Sequence, residues 1–171
     1  MSQSVEIIKI KVKENVPEII YKKHHEDDRV GEHTAKDPYL IHPDFQDALD
    51  AFKPHFAKLL DLREGDIIKK RIENIHEEAF GNIKITGICV SGVGEDFGVC
   101  ITGTRSFRGN TIPQTTPLEK IFAEYSDYKF RQELNECVQR IQYEAEQYLL
   151  ARKHRIGQAS LDFEAQAEDM E

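Results

Sequence analysis

The feature that most constrains the fold lies in the middle of the chain, where two runs rich in β-branched residues flank a short glycine-rich turn. The runs are NIKITGICVSG and VCITGTRSF, and the turn is VGEDFG. β-branched residues favour strands, and so short a connection joins antiparallel neighbours. Residues 82–107 therefore predict a β-hairpin. Its glycines follow the spacing G-x-G-x-x-x-G with no helix after them, so we interpret them as turn and packing residues and not as a phosphate cradle.

The N-terminal segment predicts further strands. VEIIKIKVK, at residues 5–13, alternates apolar residues with lysines, which is typical of a strand with one face in the core and the other in water. Residues 17–37 indicate a second strand, a polar turn at 26–31 and a weaker returning strand. These strands together predict a small antiparallel meander.

Helical periodicity begins at Pro43. An apolar stripe from there predicts a helix, and Pro54 should kink it near residues 50–53, because proline lacks the backbone donor that the helix needs. Residues 66–80 carry a weaker apolar stripe, which indicates a short helix.

A longer apolar stripe predicts a C-terminal helix that begins near Ser126 and is stopped at Gly157. The order of elements predicts an α+β fold. An antiparallel sheet, made of the N-terminal strands and the central hairpin, should carry the kinked helix and the long C-terminal helix on one face.

The length of 171 residues suits one domain with an appendage. We predict a single domain over residues 1–156 and an acidic, flexible tail over 157–171. Five acidic residues give the tail −5 of the net charge of −8, which leaves −3 on the body and no electrostatic footprint for duplex DNA. No apolar run reaches the roughly 20 residues of a membrane span, so we expect a cytoplasmic protein without membrane contact and leave its oligomeric state open.

Signals for catalysis or metal binding are weak. The segment HHEDDRVGEH contains His24, His25 and His33, but adjacent strand residues point to opposite faces and the spacing matches no recognised ligand set. We interpret it as a solvated turn, with a metal-dependent enzyme as an open alternative. The three cysteines lack metal or disulfide spacing, and we interpret them as small buried hydrophobes of a reducing compartment. We expect no catalytic residue, no metal and no cofactor.

A weak nucleic-acid signal lies in GTRSFRGNTIPQ, where Phe107 stands between Arg105 and Arg108. Two arginines and an aromatic ring on a segment that leaves a sheet are suited to gripping and stacking single-stranded nucleic acid. The alternative is that Phe107 is the last inward residue of its strand.

The acidic tail contains one apolar pair at a fixed offset from a glutamine, in the hexapeptide QASLDF. Gln158, Leu161 and Phe163 have the spacing Q-x-x-L-x-F, with Ser160 beside them. A glutamine amide both donates and accepts hydrogen bonds, and the two apolar side chains can fill adjoining pockets, so the segment predicts a docking peptide. The alternative is that Leu161 and Phe163 fold back onto the domain.

The hexapeptide resembles the clamp-binding motif of bacterial DNA polymerases, repair proteins and clamp loaders, whose core is Q-x-x-L-x-F. Ala159 departs from the leucine that often follows the glutamine. The body also resembles small proteins of bacteriophages and integrated mobile elements. That resemblance lies in the N-terminal hairpin, HPDFQDALDAFKPHFAKLLDL, ITGICVSGVGEDFGVCITGT, the TTP before the last helix and the Q-x-S-L-x-F-like end. It implies an origin in a phage or mobile element and assigns no catalytic role.

These observations predict a non-enzymatic accessory protein of DNA replication or recombination. Gln158, Ser160, Leu161 and Phe163 would dock it on the host DNA sliding clamp, and the body would contact single-stranded DNA or a DNA-processing or defence protein. The first alternative is an inhibitor of a host defence nuclease, similar to an anti-CRISPR protein, that acts without the tail. The second is the metal-dependent enzyme that uses the histidine-rich hairpin.

Overall fold

The computed structural model describes residues 5–24, 27, 29–62, 80–125 and 127–154. In these ranges the chain forms an antiparallel sheet with helices, which confirms the α+β fold class. The elements are β1 (Val5–Lys13), β2 (Val16–His24), β3 (Val30–Ala35), α1 (Pro43–Asp50), α2 (Lys53–Leu59), β4 (Ile83–Ser91), β5 (Gly98–Phe107), β6 (Asn110–Thr115), β7 (Glu119–Lys120) and α3 (Arg131–Leu150). The short helix predicted at 66–80 lies almost wholly outside the described residues.

The sheet has the strand order β3-β2-β1-β4-β5-β6, and β7 pairs with the start of β5. All the paired strands run antiparallel. The predicted hairpin forms the β4–β5 pair, and β1 joins it to the N-terminal meander through the pairs of Lys9 with Cys89 and Lys11 with Gly87. The predicted strands therefore assemble into one continuous sheet.

Two strands were not predicted. RGNTIPQTTP has the polar, proline-containing composition of a loop, but residues 110–115 form β6 and 119–120 form β7. Arg108 and Gly109 adopt positive φ angles of 52° and 79°, which reverse the chain between Phe107 and Asn110. Pro113 is tolerated because β6 is an edge strand at the end of the main strand order, where a missing donor costs little.

The kink in the first helix is confirmed. The α-helical hydrogen-bond pattern is interrupted between α1 and α2, where the Phe52 amide donates to the Leu49 carbonyl at 3.0 Å, and Pro54 stands in the first turn of α2. Proline cannot donate the hydrogen bond that an uninterrupted helix would need at this position, so the axis breaks here.

The C-terminal helix is shorter than predicted. It begins at Arg131 and not near Ser126, and it ends at Leu150 before Gly157 is reached. Arg152 adopts a positive φ of 52°, which takes the chain out of the helix. The predicted apolar stripe is buried along its length, and its buried hydrophobic members are Leu134, Val138, Ile141, Ala145 and Tyr148.

The helices pack on one face of the sheet, where Ile10, Ile19 and Ile101 are at most 1% exposed. The ring of Phe56 from α2 lies so close to β5 that a Cβ added at Gly103 would meet it at 3.2 Å. The opposite face carries lysines, threonines and cysteines, and a groove of about 640 Å³ opens onto it. Of the helices within the described ranges, none is long and apolar enough to cross a bilayer.

Candidate functional site

The predicted nucleic-acid residues meet at the tip of the β5–β6 hairpin. Phe107 is the last residue of β5 and pairs with Asn110, so Arg108 and Gly109 form a two-residue turn. Both have positive φ angles, as the tight turn that matches strand twist requires. The hairpin is braced near its tip, because the Ser106 amide donates to the Asn82 carbonyl at 2.8 Å.

The Phe107 ring is flanked by the two guanidinium groups. The Cζ atoms of Arg105 and Arg108 lie 5.0 and 5.1 Å from the ring centroid, within the range of cation–π attraction. Phe107 is 38% exposed, so its ring is not enclosed in the core. An aromatic ring beside two guanidinium groups is suited to binding a nucleotide, with the ring against the base and the arginines on the neighbouring phosphates.

The predicted docking residues Gln158, Ser160, Leu161 and Phe163 lie outside the described residues. The last described residues are well held. Lys153 Nζ lies 2.7 Å from Asp44 Oδ2 and 3.2 Å from Glu144 Oε2. The hydrogen bond to Asp44 raises the pKa of Lys153, and the same bond lowers the pKa of Asp44.

The last described residue, His154, is fixed by a second set of contacts. Its ring stacks on Tyr39 with centroids 4.4 Å apart, and its backbone forms a bridge to Ile41. The Ile41 amide in turn donates to the carbonyl of Asn15, in the β1–β2 turn, at 2.9 Å. The last described residue therefore lies close to the segment that pairs with the β1–β2 turn.

The histidine-rich hairpin does not bring its predicted residues to one site. His24 Nε2 lies 3.3 Å from Glu6 Oε2, whereas the ring of His33 stacks on Tyr21. His25 is outside the described residues. In the described ranges, no three His, Cys, Asp or Glu side chains are grouped closely enough to hold one metal ion.

A buried histidine–tyrosine pair was not predicted from the sequence. His55 is fully buried, and its Nδ1 hydrogen-bonds the Tyr128 hydroxyl. Burial lowers the pKa of His55 to about 4 and raises that of Tyr128. Since solvent does not reach His55, the pair has a structural role and is unsuited to acid–base catalysis. His42 caps α1, because its Nδ1 accepts from the Asp44 amide at 3.0 Å.

Two cysteines lie in a different environment from the one we expected. Cys89 and Cys100 are free, only partly buried, and directly opposite each other in the β4–β5 pair. Cys137 faces α1, where its thiol donates to the Ala51 carbonyl at 3.7 Å. Burial raises the pKa of Cys137 to about 11, which fits the structural interpretation for this cysteine alone.

Comparisons with known proteins found nothing similar to this chain. No family model, curated protein or solved structure matches the chain. The interpretation of the hairpin tip therefore rests on its own residues and their geometry.

Proposed function

We propose that this chain is a non-enzymatic accessory protein of DNA replication or recombination in a phage or mobile element, and that its tail docks it on the host DNA sliding clamp in the cytoplasm. The observation that carries the proposal is the hexapeptide QASLDF, with Gln158, Leu161 and Phe163 at the spacing Q-x-x-L-x-F. An apolar pair in an otherwise acidic and polar tail needs a partner surface, and a clamp groove supplies one.

The chemistry of docking follows from the three side chains. The Gln158 amide donates and accepts in a polar notch, Leu161 and Phe163 fill apolar pockets, and Asp162 stays in solvent. Burial of each apolar side chain contributes about 1.5–3 kcal/mol, and ordering of the segment offsets part of that. With backbone hydrogen bonds the total is near −8 kcal/mol, a micromolar contact suited to exchange on a shared clamp.

The fixed position of His154 supports the proposal because it limits how far the body can move from the clamp. Gln158 follows His154 by four residues, which span at most about 14 Å. The strand register places the β5–β6 tip at the same end of the sheet as the β1–β2 turn, since Lys11 opposes Gly87 and Gly87 opposes Thr102. A docked protein would therefore hold its hairpin tip near the DNA that the clamp encircles.

The hairpin tip favours a second candidate function, binding of single-stranded nucleic acid. The specific observation is the exposed Phe107 ring with an arginine on either side. One stacked base is worth about 1–3 kcal/mol. Phe107→Ala should therefore weaken the affinity for a labelled single-stranded oligonucleotide by about tenfold, as measured by fluorescence anisotropy. Tyr143→Ala, which removes an exposed aromatic ring from α3, should leave this affinity unchanged. Equal affinity of the two variants would refute this role.

The test of clamp docking is calorimetric titration of the full chain into a bacterial sliding clamp. We expect micromolar affinity, and Leu161→Ala with Phe163→Ala should weaken it on the order of 100-fold. A matched variant, Gln166→Ala with Met170→Ala, alters the same tail outside the hexapeptide and should bind like the original chain. Absence of binding by the intact protein would refute the proposal and favour a tail folded back on the domain.

A further inference from the structure

The strand register brings two thiols together that stand eleven positions apart in the sequence. Cys89 on β4 is the direct partner of Cys100 on β5. Their neighbours Val90, Val99 and Ile101 are buried under the helices, and successive strand residues alternate between faces. Both thiols therefore project from the opposite face of the sheet, which carries no helix within the described ranges.

This face gives small molecules access to the pair. Cys89 lines the groove of about 640 Å³, together with Lys9, Lys11 and Thr102. Lys9 is the β1 partner of Cys89, so the thiol pair lies beside β1 on the open face.

The separation of the two cysteines can be derived from the hydrogen bonding of the adjacent residue. The Ile101 amide donates to Thr116 Oγ1 and its carbonyl accepts from the Thr116 amide, so the backbone groups of Ile101 point away from β4. Those of Cys100 consequently point toward β4. Cys89 and Cys100 form a hydrogen-bonded pair, for which the Cα atoms are about 5.5 Å apart. This lies within the range of about 4.4–6.8 Å that disulfides span.

We propose that Cys89 and Cys100 form a reversible cross-strand disulfide on the open face of the sheet, through exchange with a low-molecular-weight disulfide such as oxidised glutathione. The thiolate of one cysteine attacks a glutathione sulfur and releases one glutathione thiolate. The other cysteine, as thiolate, attacks the protein sulfur of the mixed disulfide and releases the second glutathione. In sum, two protein thiols are oxidised to one disulfide, and one glutathione disulfide is reduced to two glutathione thiols.

The same geometry makes the disulfide easy to reduce. Cβ atoms in a relaxed disulfide are about 3.8 Å apart, whereas side chains in a hydrogen-bonded pair are farther apart than those in the alternate pair. Closure must therefore draw β4 and β5 together locally. Disulfides that are strained or exposed have more oxidising potentials and belong to the labile, regulatory class.

The test exposes the native full-length protein to excess oxidised glutathione at about pH 8, followed by acid quenching, intact mass measurement and peptide mapping. A mildly alkaline pH is needed because burial, and to a lesser extent the adjacent Cys89 thiol, raises the pKa of Cys100. The expected product has lost two hydrogen atoms, carries no glutathione and links the Cys89 and Cys100 peptides. Excess reduced glutathione should restore the starting mass.

Two variants serve as controls. Cys100→Ser should trap glutathione on Cys89, because no second thiol can displace it, and circular dichroism checks that this variant is folded. Cys137→Ser should oxidise like the original chain. A protein that keeps all its thiols, that accumulates glutathione on both Cys89 and Cys100, or that forms a link through Cys137 would overturn the proposal.

Discussion

The buried pair of His55 and Tyr128 predicts a specific pH dependence of stability. Burial lowers the pKa of His55 from its ordinary value of 6.5 to about 4 in the folded protein. Between these two values the unfolded chain binds a proton that the native chain does not bind, so the free energy of unfolding rises with pH. His55 therefore contributes its full stabilisation above pH 6.5, and this is lost as the pH falls toward 4.

The size of the effect follows from the shift in pKa. One pKa unit corresponds to about 1.4 kcal/mol, so the shift amounts to about 3 kcal/mol over the whole window. Because His55 is fully buried, solvent does not screen the effect. Urea unfolding followed by circular dichroism between about pH 4.5 and 7.5 should show a slope near 1.4 kcal/mol per pH unit from this residue at the centre of the window.

The matched comparison is His55→Gln against His33→Gln, which removes a histidine that is stacked on Tyr21 outside the core. The His55 variant should lose most of this slope, whereas the His33 variant should retain it. If His55→Gln leaves the slope unchanged, the pH dependence belongs to other groups and the assignment of a neutral, buried imidazole is refuted.

Two further changes test the backbone of the sheet by urea unfolding at neutral pH. Gly103→Ala would place a Cβ 2.7 Å from the Lys84 carbonyl oxygen and 3.2 Å from the Phe56 ring, so it should lower the free energy of unfolding by about 1–3 kcal/mol. Thr104→Ala, on the opposite face, should lower it by less. Equal losses in the two variants would contradict close packing at Gly103. Asn15 in the β1–β2 turn has a φ of 64°, which a β-branched residue adopts at a high cost in energy. Asn15→Val should therefore lower the free energy of unfolding by about 1–2 kcal/mol, whereas Asn15→Gly should leave it unchanged or raise it. The reverse order would show that Asn15 does not have a left-handed backbone conformation.

Much of the fold could be predicted because its signals are local. Alternation of Ile8, Ile10 and Val12 with lysines predicts β1, and the proline at position 54 predicts the break between α1 and α2. The register, in contrast, includes bulges between Ile7 and Lys9 and between Ile85 and Gly87. A bulge changes which side chains face the core after it, and simple alternation cannot locate one.

The failure to predict strand β6 and the error in the start of α3 have the same physical origin. Pro113 is unfavourable in a central strand, and only the position of β6 at the edge makes it acceptable. Phe130 continues the apolar period of α3 but lies before its first residue, and it is buried in the same core. Tertiary packing decides both cases, and a local pattern does not contain it.

The candidate sites could be predicted only where their residues are close in sequence. Arg105, Phe107 and Arg108 are close in sequence, so their cluster was predictable, although the turn that brings the guanidinium groups to the ring was not. Cys89 meets Cys100 only because of the β4–β5 register. His55 meets Tyr128 across 73 residues. Pairs of this kind carry no local signal and become visible only in the folded chain.

Docking on the sliding clamp is tested most directly by displacement of a dye-labelled Q-x-x-L-x-F peptide from the clamp by the full chain, followed by fluorescence polarisation. We expect complete displacement at micromolar protein, and loss of displacement when Leu161 and Phe163 are both replaced by alanine. Failure of the intact chain to displace the peptide would refute clamp docking through the hexapeptide, and so would equal displacement by the double variant.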